Sequence, residues 1–210
     1  MAALEMPIPL LVSARKFEYL PKQNITPVNG GFIQVVDRTT PFWVAEYVSG
    51  KMTEADYDIF VAWLDELEGA SGTFLAYDPR RPRPKAYMTQ VGNTTPWGAS
   101  PTITGASIAN GTLTLGALTN PSTITKGDYI SFKIGNTWYL HRAIENVTTT
   151  TTATVKVRPR PLVETGFPVA IRVVKACAEM KVVSRPSPEL SVEGGDMLRF
   201  SAVQHLNRAT

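Results

Sequence analysis

The chain has one cysteine, Cys177, and two histidines, His141 and His205. Those scarcities remove much of the chemistry that a protein of 210 residues could carry. A lone thiol forms no intramolecular disulfide and finds no second thiol for a metal site, so Cys177 reads as a small apolar filler. The histidines are far apart in sequence and neither has another His or Cys at metal-ligand spacing. His141, after Trp138-Tyr139-Leu140, reads as a structural or exposed histidine on a strand. No run approaches the ~18 apolar residues of a membrane span. The only apolar run near the N-terminus, Met6 to Val12, has neither the basic leader nor the length of a signal peptide. The expectation is a chain made and folded in a cytoplasm, with no membrane anchor. The Asn-x-Ser/Thr sequons at Asn24, Asn93, Asn110 and Asn146 then read as by-products of a threonine-rich composition.

A strong excess of one charge is also missing. With 21 basic and 18 acidic residues the net charge is +3 and the sequence pI about 9.0, well short of the basic excess of a dedicated nucleic-acid binder. No sequence-specific nucleic-acid binding is expected. Phosphate-loop and dinucleotide motifs are absent: Gly69-Ala70-Ser71-Gly72 lacks the lysine and the following helix that a phosphate cradle needs. No Gly-x-Ser-x-Gly elbow supports a hydrolase. Carboxylate pairs such as Asp65 with Glu68, or Glu54 with Asp58, have the chemistry of a glycosidase but fall on a helix face, where they read as a solvated acidic stripe. The chain therefore reads as a non-enzyme with no catalytic residue, metal or cofactor.

What is present is a 43% hydrophobic composition, ordinary for a globular fold. Gly31 to Val36 and Pro41 to Val48 are rich in β-branched and aromatic residues, and the Asp37-Arg38-Thr39-Thr40 tetrapeptide suits a hairpin turn between them. Thr53 predicts a helix N-cap, with Asp56 three residues on as a short-armed capping box. Tyr57, Phe60, Val61, Leu64 and Leu67 follow helical spacing while Asp58, Asp65, Glu66 and Glu68 fall elsewhere, so a helix over 53–68 has a core face and an acidic face. Gly69 supplies its stop, and Gly72 to Tyr77 resumes as a strand.

Directly after that strand comes Asp78-Pro79-Arg80-Arg81-Pro82-Arg83-Pro84-Lys85, with four positive charges and three prolines. Proline fixes its own φ, donates no backbone hydrogen bond and pushes its predecessor towards extended geometry. The segment reads as an extended, exposed, basic connector. Arg80, Arg81, Arg83 and Lys85 are candidates for a subunit interface, with the acidic helix residues Asp65, Glu66 and Glu68 as their opposite-charge partners.

From Thr89 to Thr125 the composition turns to Thr, Ser, Gly, Asn and Pro. Short strands follow at Thr112 to Leu115, Asp128 to Ile134, Thr137 to Ile144, Ala153 to Val157 and Val169 to Val174, with Gly135-Asn136 as a two-residue hairpin. Ala178 to Val183 and Met197 to Val203 are two more, set apart by Arg185 to Pro188 and by Gly194-Gly195. The first 78 residues cannot alone cover Trp43, Phe60, Trp63 and Phe74, so these last strands should return to the first sheet. The fold class is α+β, mostly β. Residues 1–88 and 175–210 form a discontinuous, sandwich-like domain with one amphipathic helix, and residues 89–174 an inserted all-β barrel or sandwich. Trp97, Trp138 and Tyr139 in that insert are candidates for stacking against a sugar ring, although such residues also fill small β cores.

The order of these parts resembles the tail-tip proteins of long-tailed bacteriophages and related prophages, over roughly residues 15–205. The residues that carry the resemblance include the aromatic strand pair, the helix ending Trp63-Leu64-Asp65-Glu66-Leu67, and Gly72 to Leu75 leading into Asp78-Pro79-Arg80-Arg81-Pro82. Further along, Lys126 to Phe132, Trp138 to Arg142 and Val157-Arg158-Pro159-Arg160-Pro161-Leu162 follow the same habit. Within that group the nearest role is the distal tail protein. The resemblance implies a virion structural protein that forms a homo-oligomeric ring, a hexamer like the tail tube it continues. Such a ring surrounds the axial channel and joins the tube protein to the tip hub or baseplate proteins. Many distal tail proteins append the outer module at the C-terminus, whereas here it is inserted, as a spacer, a carbohydrate-binding module or a contact surface. The connector Arg80 to Lys85 and the segment Met1 to Leu11 are the candidate arms of such a ring. A carbohydrate- or receptor-binding tail component is the alternative, and a small envelope-degrading hydrolase comes third.

Overall fold

The computed structural model describes residues 3–7, 13–28, 32–50, 52–88, 97–118, 121–184 and 198–206, and its strands divide between an open sheet and a closed barrel. In chain order the elements are β1 (Leu4–Glu5), β2 (Ser13–Val28), β3 (Phe32–Val48), α1 (Glu54–Glu66), β4 (Phe74–Tyr77), β5 (Thr102–Ser107), β6 (Thr112–Gly116) and β7 (Ser122–Ile124). They continue with β8 (Tyr129–Ile134), β9 (Thr137–Ala143), β10 (Val147–Thr149), β11 (Ala153–Arg158), β12 (Val169–Arg172), β13 (Cys177–Ser184) and β14 (Arg199–Gln204). The fold is α+β and mostly β.

The open sheet has the order β1-β4-β13-β14-β3-β2, so the two late strands lie between β4 and β3. Along β3, Trp43, Ala45 and Tyr47 are buried while Glu46 between them is exposed, the period-two signature of a strand with one covered face. The expected hairpin at Asp37 to Thr40 is corrected: β3 runs on through these residues as one strand. Its partner is β2, paired from Ser13↔Val48 to Val28↔Phe32. The register passes from Lys22↔Thr39 to Gln23↔Asp37, leaving Arg38 without an opposite number. A polar stretch that looked like a turn is thus taken up as a bulge in a ladder whose second strand is long enough to pair on both sides of it.

The helix starts where its cap predicts. Asp56 N–H donates to Thr53 Oγ1 at 3.2 Å, and that hydroxyl donates to Asp56 Oδ2 at 2.7 Å. Phe60, Trp63, Leu64 and Leu67 are buried, packed around Phe74 and Phe200 with ring centroids 5.1–6.1 Å apart. After the helix the chain doubles back so tightly that a Cβ on Gly72 would stand 2.6 Å from the Leu67 carbonyl oxygen, which accepts the Gly72 N–H.

Strands β11-β6-β5-β12-β8-β9 close into a barrel, with β10 and β7 paired beside it. In β11 Ala153, Val155 and Val157 are buried while Thr154 and Lys156 are exposed. Ile103, Leu113, Leu115, Ile130 and Phe132 fill the same interior. The predicted Gly135-Asn136 turn is present, with Ile134 opposite Thr137 and Gly135 at φ +58°.

Sheet and barrel share side chains. Tyr129 and Leu140 of the barrel belong to the core of the sheet and helix. The Tyr129 ring stands edge-on to Phe17 and Trp43 at 5.6 and 5.8 Å, and Cys177 N–H donates to Ser131 Oγ at 3.0 Å.

Candidate assembly interface

Strand β14 pairs with β3 only over Val44–Val48. Beyond that point β3 and β2 continue as a two-stranded ribbon, and from Gln23 to Val36 the sequence holds no charged residue. The register places Ile25 opposite Val35 and Pro27 opposite Ile33, so these four side chains share one face. Thr26, Gln34, Phe32 and Val36 take the other. Phe32 is 75% exposed and Ile33 66%, with Ile25, Val35 and Val36 exposed as well. A two-stranded ribbon is marginal in water by itself, and an edge with no charge to blunt it invites pairing. This apolar face is the feature of the described residues that most requires a cover. Sequence reasoning missed it, although the signal was there: Asn29-Gly30-Gly31 separates two stretches of β-branched residues.

The basic connector is a compact turn and not an extended arm. Asp78 and Pro79 open a β-turn closed by Arg81 N–H to Asp78 O at 2.9 Å. Asp78 is 1% exposed, and its carboxylate accepts from the Arg80 backbone N–H at 3.1 Å and from Nε and Nη2 of the Arg80 guanidinium at 3.0 and 3.1 Å. Tyr129 Oη donates to Asp78 Oδ2 at 3.4 Å. Lys85 N–H donates to Asp128 Oδ1 at 2.7 Å and Lys175 N–H to Pro82 O at 2.6 Å, so the loop is pinned to the barrel and to the chain entering β13. The stiffness of three prolines predicts extension, whereas the buried carboxylate at its head folds the segment back. Its charges still gather: Arg80, Arg81, Arg83 and Lys85 meet Lys126 around a pocket of about 200 Å³. Burial raises the pKa of Asp128 at its rim, against the two backbone N–H groups that lower it.

The acidic candidates Asp65, Glu66 and Glu68 are exposed, with Glu68 just past the helix, which ends at Glu66 and not at 68 as expected. The N-terminal candidate arm is described only over residues 3–7. There Leu4 and Glu5 pair in parallel with Phe74 and Leu75, and Glu5 meets Arg172 at 2.8 Å, so this piece docks on its own sheet. Residues 8–12 and the Arg185 to Pro188 and Gly194-Gly195 stretches lie outside the described residues.

Trp97 is 1% exposed and its indole donates to Thr123 O at 2.9 Å, so it is core and offers no ring to a ligand. Trp138 and Tyr139 are neighbours on β9 and point to opposite faces, which prevents a shared platform. Tyr139 stacks on Phe132 at 5.5 Å, while Trp138 packs against the sheet core under the Arg172 guanidinium.

Of the titratable groups, His141 is buried, with Nδ1 donating to Pro159 O at 2.9 Å and Nε2 without a partner. Desolvation lowers its pKa to about 4 and holds it neutral. Cys177 is buried too, and the same effect raises its thiol to about 11. Among the described residues no group of three or more His, Cys, Asp or Glu side chains is placed to hold a metal ion. No known protein family matches the chain, and no curated protein matches it either.

Proposed function

We propose that this chain is a structural subunit of a phage tail tip, assembling with copies of itself into a ring that surrounds the axial channel. The ring joins the tail tube to the baseplate or tip proteins, and the protein resides in the virion. The observation that carries the reading is the outer part of the β2–β3 ribbon, uncharged from Gln23 to Val36, with its bare apolar face of Ile25, Pro27, Ile33 and Val35. A soluble subunit that keeps such a face is built to bury it in an assembly. The sequence resemblance to distal tail proteins supplies the particular assembly. The shared core of sheet and barrel supports the same reading, because a subunit that bears load needs its parts held rigidly together.

The test is the native mass of the purified chain by light scattering over a concentration series, with negative-stain imaging of any large species. Closed rings with a central hole are expected. A monomer at every concentration, alone and with the tube protein added, would sink the proposal.

A carbohydrate- or receptor-binding tail component is the second reading. It is favoured by Trp138, half-buried at the edge of an open groove of about 690 Å³ that also holds Asn136, Glu179, Lys181 and His205. An aromatic face beside amide and charged groups is the chemistry that binds a sugar ring. Glycan binding that disappears in Trp138→Ala would favour it, and a blank glycan screen would remove it.

A further inference from the structure

We propose that the groove between sheet and barrel takes a neutral, hydroxyl-rich sugar, with the Glu179 carboxylate accepting from its hydroxyls; this rests on the carbohydrate-binding reading above. Along β13, Ala178, Met180 and Val182 lie in the core of sheet and helix. Strand alternation turns Glu179 and Lys181 to the other face. There they line the groove of about 690 Å³ together with Lys133, Asn136 and Trp138 of the β8–β9 hairpin. Lys133 and Trp138 are register partners, so they share one face of that hairpin.

Glu179 is 6% exposed, yet among the described residues no hydrogen bond or ion pair engages its carboxylate. The same row of the sheet supplies the contrast. Glu179 stands opposite Leu75, and Leu75 opposite Glu5. Glu5 is the more open of the two acids and is held by Arg172 at 2.8 Å. A buried carboxylate with no partner costs stability, and its presence beside a groove is accounted for by a ligand that completes its bonds.

The surrounding groups select that ligand. A cation would satisfy Glu179 but meet Lys133 and Lys181. An anion would suit the lysines but be repelled by Glu179. Lys133 is exposed and has water for a partner, so the demand that decides is that of the buried carboxylate. A sugar hydroxyl meets both needs, since it donates to the carboxylate while its oxygen accepts from an ammonium or from the Asn136 amide. Ser71, Thr73 and His205 add further neutral hydrogen-bonding groups on the sheet side. The Arg172 guanidinium lies over the Trp138 ring, 5.8 Å from its centroid, and covers one face of the indole. Trp138 therefore serves as an apolar wall, and the bonds to Glu179 carry the recognition. The volume lies within the range of small-molecule sites, roughly 300–1,000 Å³. Its walls come from both sheet and barrel, whose shared core fixes their spacing.

The experiment is a glycan array probed with the full-length chain, holding neutral hexose, uronic- or sialic-acid and free-amine oligosaccharides. Calorimetry then follows with the best-bound soluble oligosaccharide. Neutral hexose glycans should bind best, and Glu179→Gln, which keeps the shape and removes the charge, should weaken binding tenfold or more. Its unfolding midpoint should be unchanged or raised, because no bond within the chain is lost. Undiminished binding by Glu179→Gln would overturn the proposal, and the carbohydrate-binding reading would still stand if Trp138→Ala abolishes binding. A preference for acidic or amine-bearing glycans would overturn it in the same limited way. A lowered midpoint for Glu179→Gln would show that the carboxylate serves the fold, and would overturn it too. A blank array would remove both the proposal and the reading beneath it.

Discussion

The Trp43 indole N–H donates to the Leu140 carbonyl at 2.8 Å, a bond from the open sheet to the barrel between residues 97 positions apart. Around it the Phe17, Tyr19 and Tyr129 rings lie 5.5–5.8 Å from the Trp43 ring. Sheet and barrel are joined here by packing and by a buried polar bond, and again where Cys177 N–H donates to Ser131 Oγ at 3.0 Å.

Trp43→Phe keeps an aromatic ring and removes the donor, leaving a buried carbonyl with one partner fewer. A loss of about 1–3 kcal/mol is expected, the penalty of an unsatisfied buried group together with a smaller ring. Urea denaturation followed by circular dichroism measures it, and an unshifted midpoint would mean that the packing alone holds the two parts.

Arginines of the basic turn separate into two kinds. Arg80 holds the buried Asp78 carboxylate, so Arg80→Ala should cost about 1–2 kcal/mol, tempered because the guanidinium is half exposed. Arg81, exposed and only 3.4 Å from Gly127 O, should tolerate alanine within about 0.5 kcal/mol. A combined replacement of Arg80, Arg81 and Arg83 would mix instability with any effect on assembly. Equal midpoints for the two single variants would contradict the role given to Asp78.

His141 predicts a pH dependence of stability. Its folded pKa of about 4 lies below the ordinary 6.5, so between those values the unfolded chain binds the extra proton. The stability this histidine contributes is present in full above about pH 6.5 and is lost as the pH falls towards 4, by up to about 3 kcal/mol. His141→Asn removes the titration, so the difference between the variant and wild-type stability curves should slope over that window and flatten above it. Parallel curves from pH 4 to 7 would show that the imidazole is hydrated in solution.

How much of this was legible in sequence depends on whether a residue's partner was local. The Thr53–Asp56 cap, the Phe60-Trp63-Leu64-Leu67 face and the Gly135-Asn136 turn each declare themselves within a few residues, because helix and hairpin spacing is set by backbone geometry. Trp97 followed the commoner fate of an aromatic in a small β core, which its neighbours in sequence could not announce. The candidate site was the less legible half. Asp37 to Thr40 has turn composition yet lies in a strand, because β2 reaches past it. The segment opening at Asp78 reads as extended and exposed, and only the bonds from Arg80 and Tyr129 make that carboxylate a buried anchor.

By itself, then, the sequence determined the class: a mostly β chain with one amphipathic helix and a stiff basic loop. Local periodicity and turn chemistry are enough for that. Tertiary structure decided that the loop folds back, that Trp97 is core, and that β2 and β3 outrun β14 to leave an apolar ribbon uncovered. Those outcomes depend on which strand finds which partner and how far the pairing extends, and strand pairing is a contact between residues that the chain order does not place side by side.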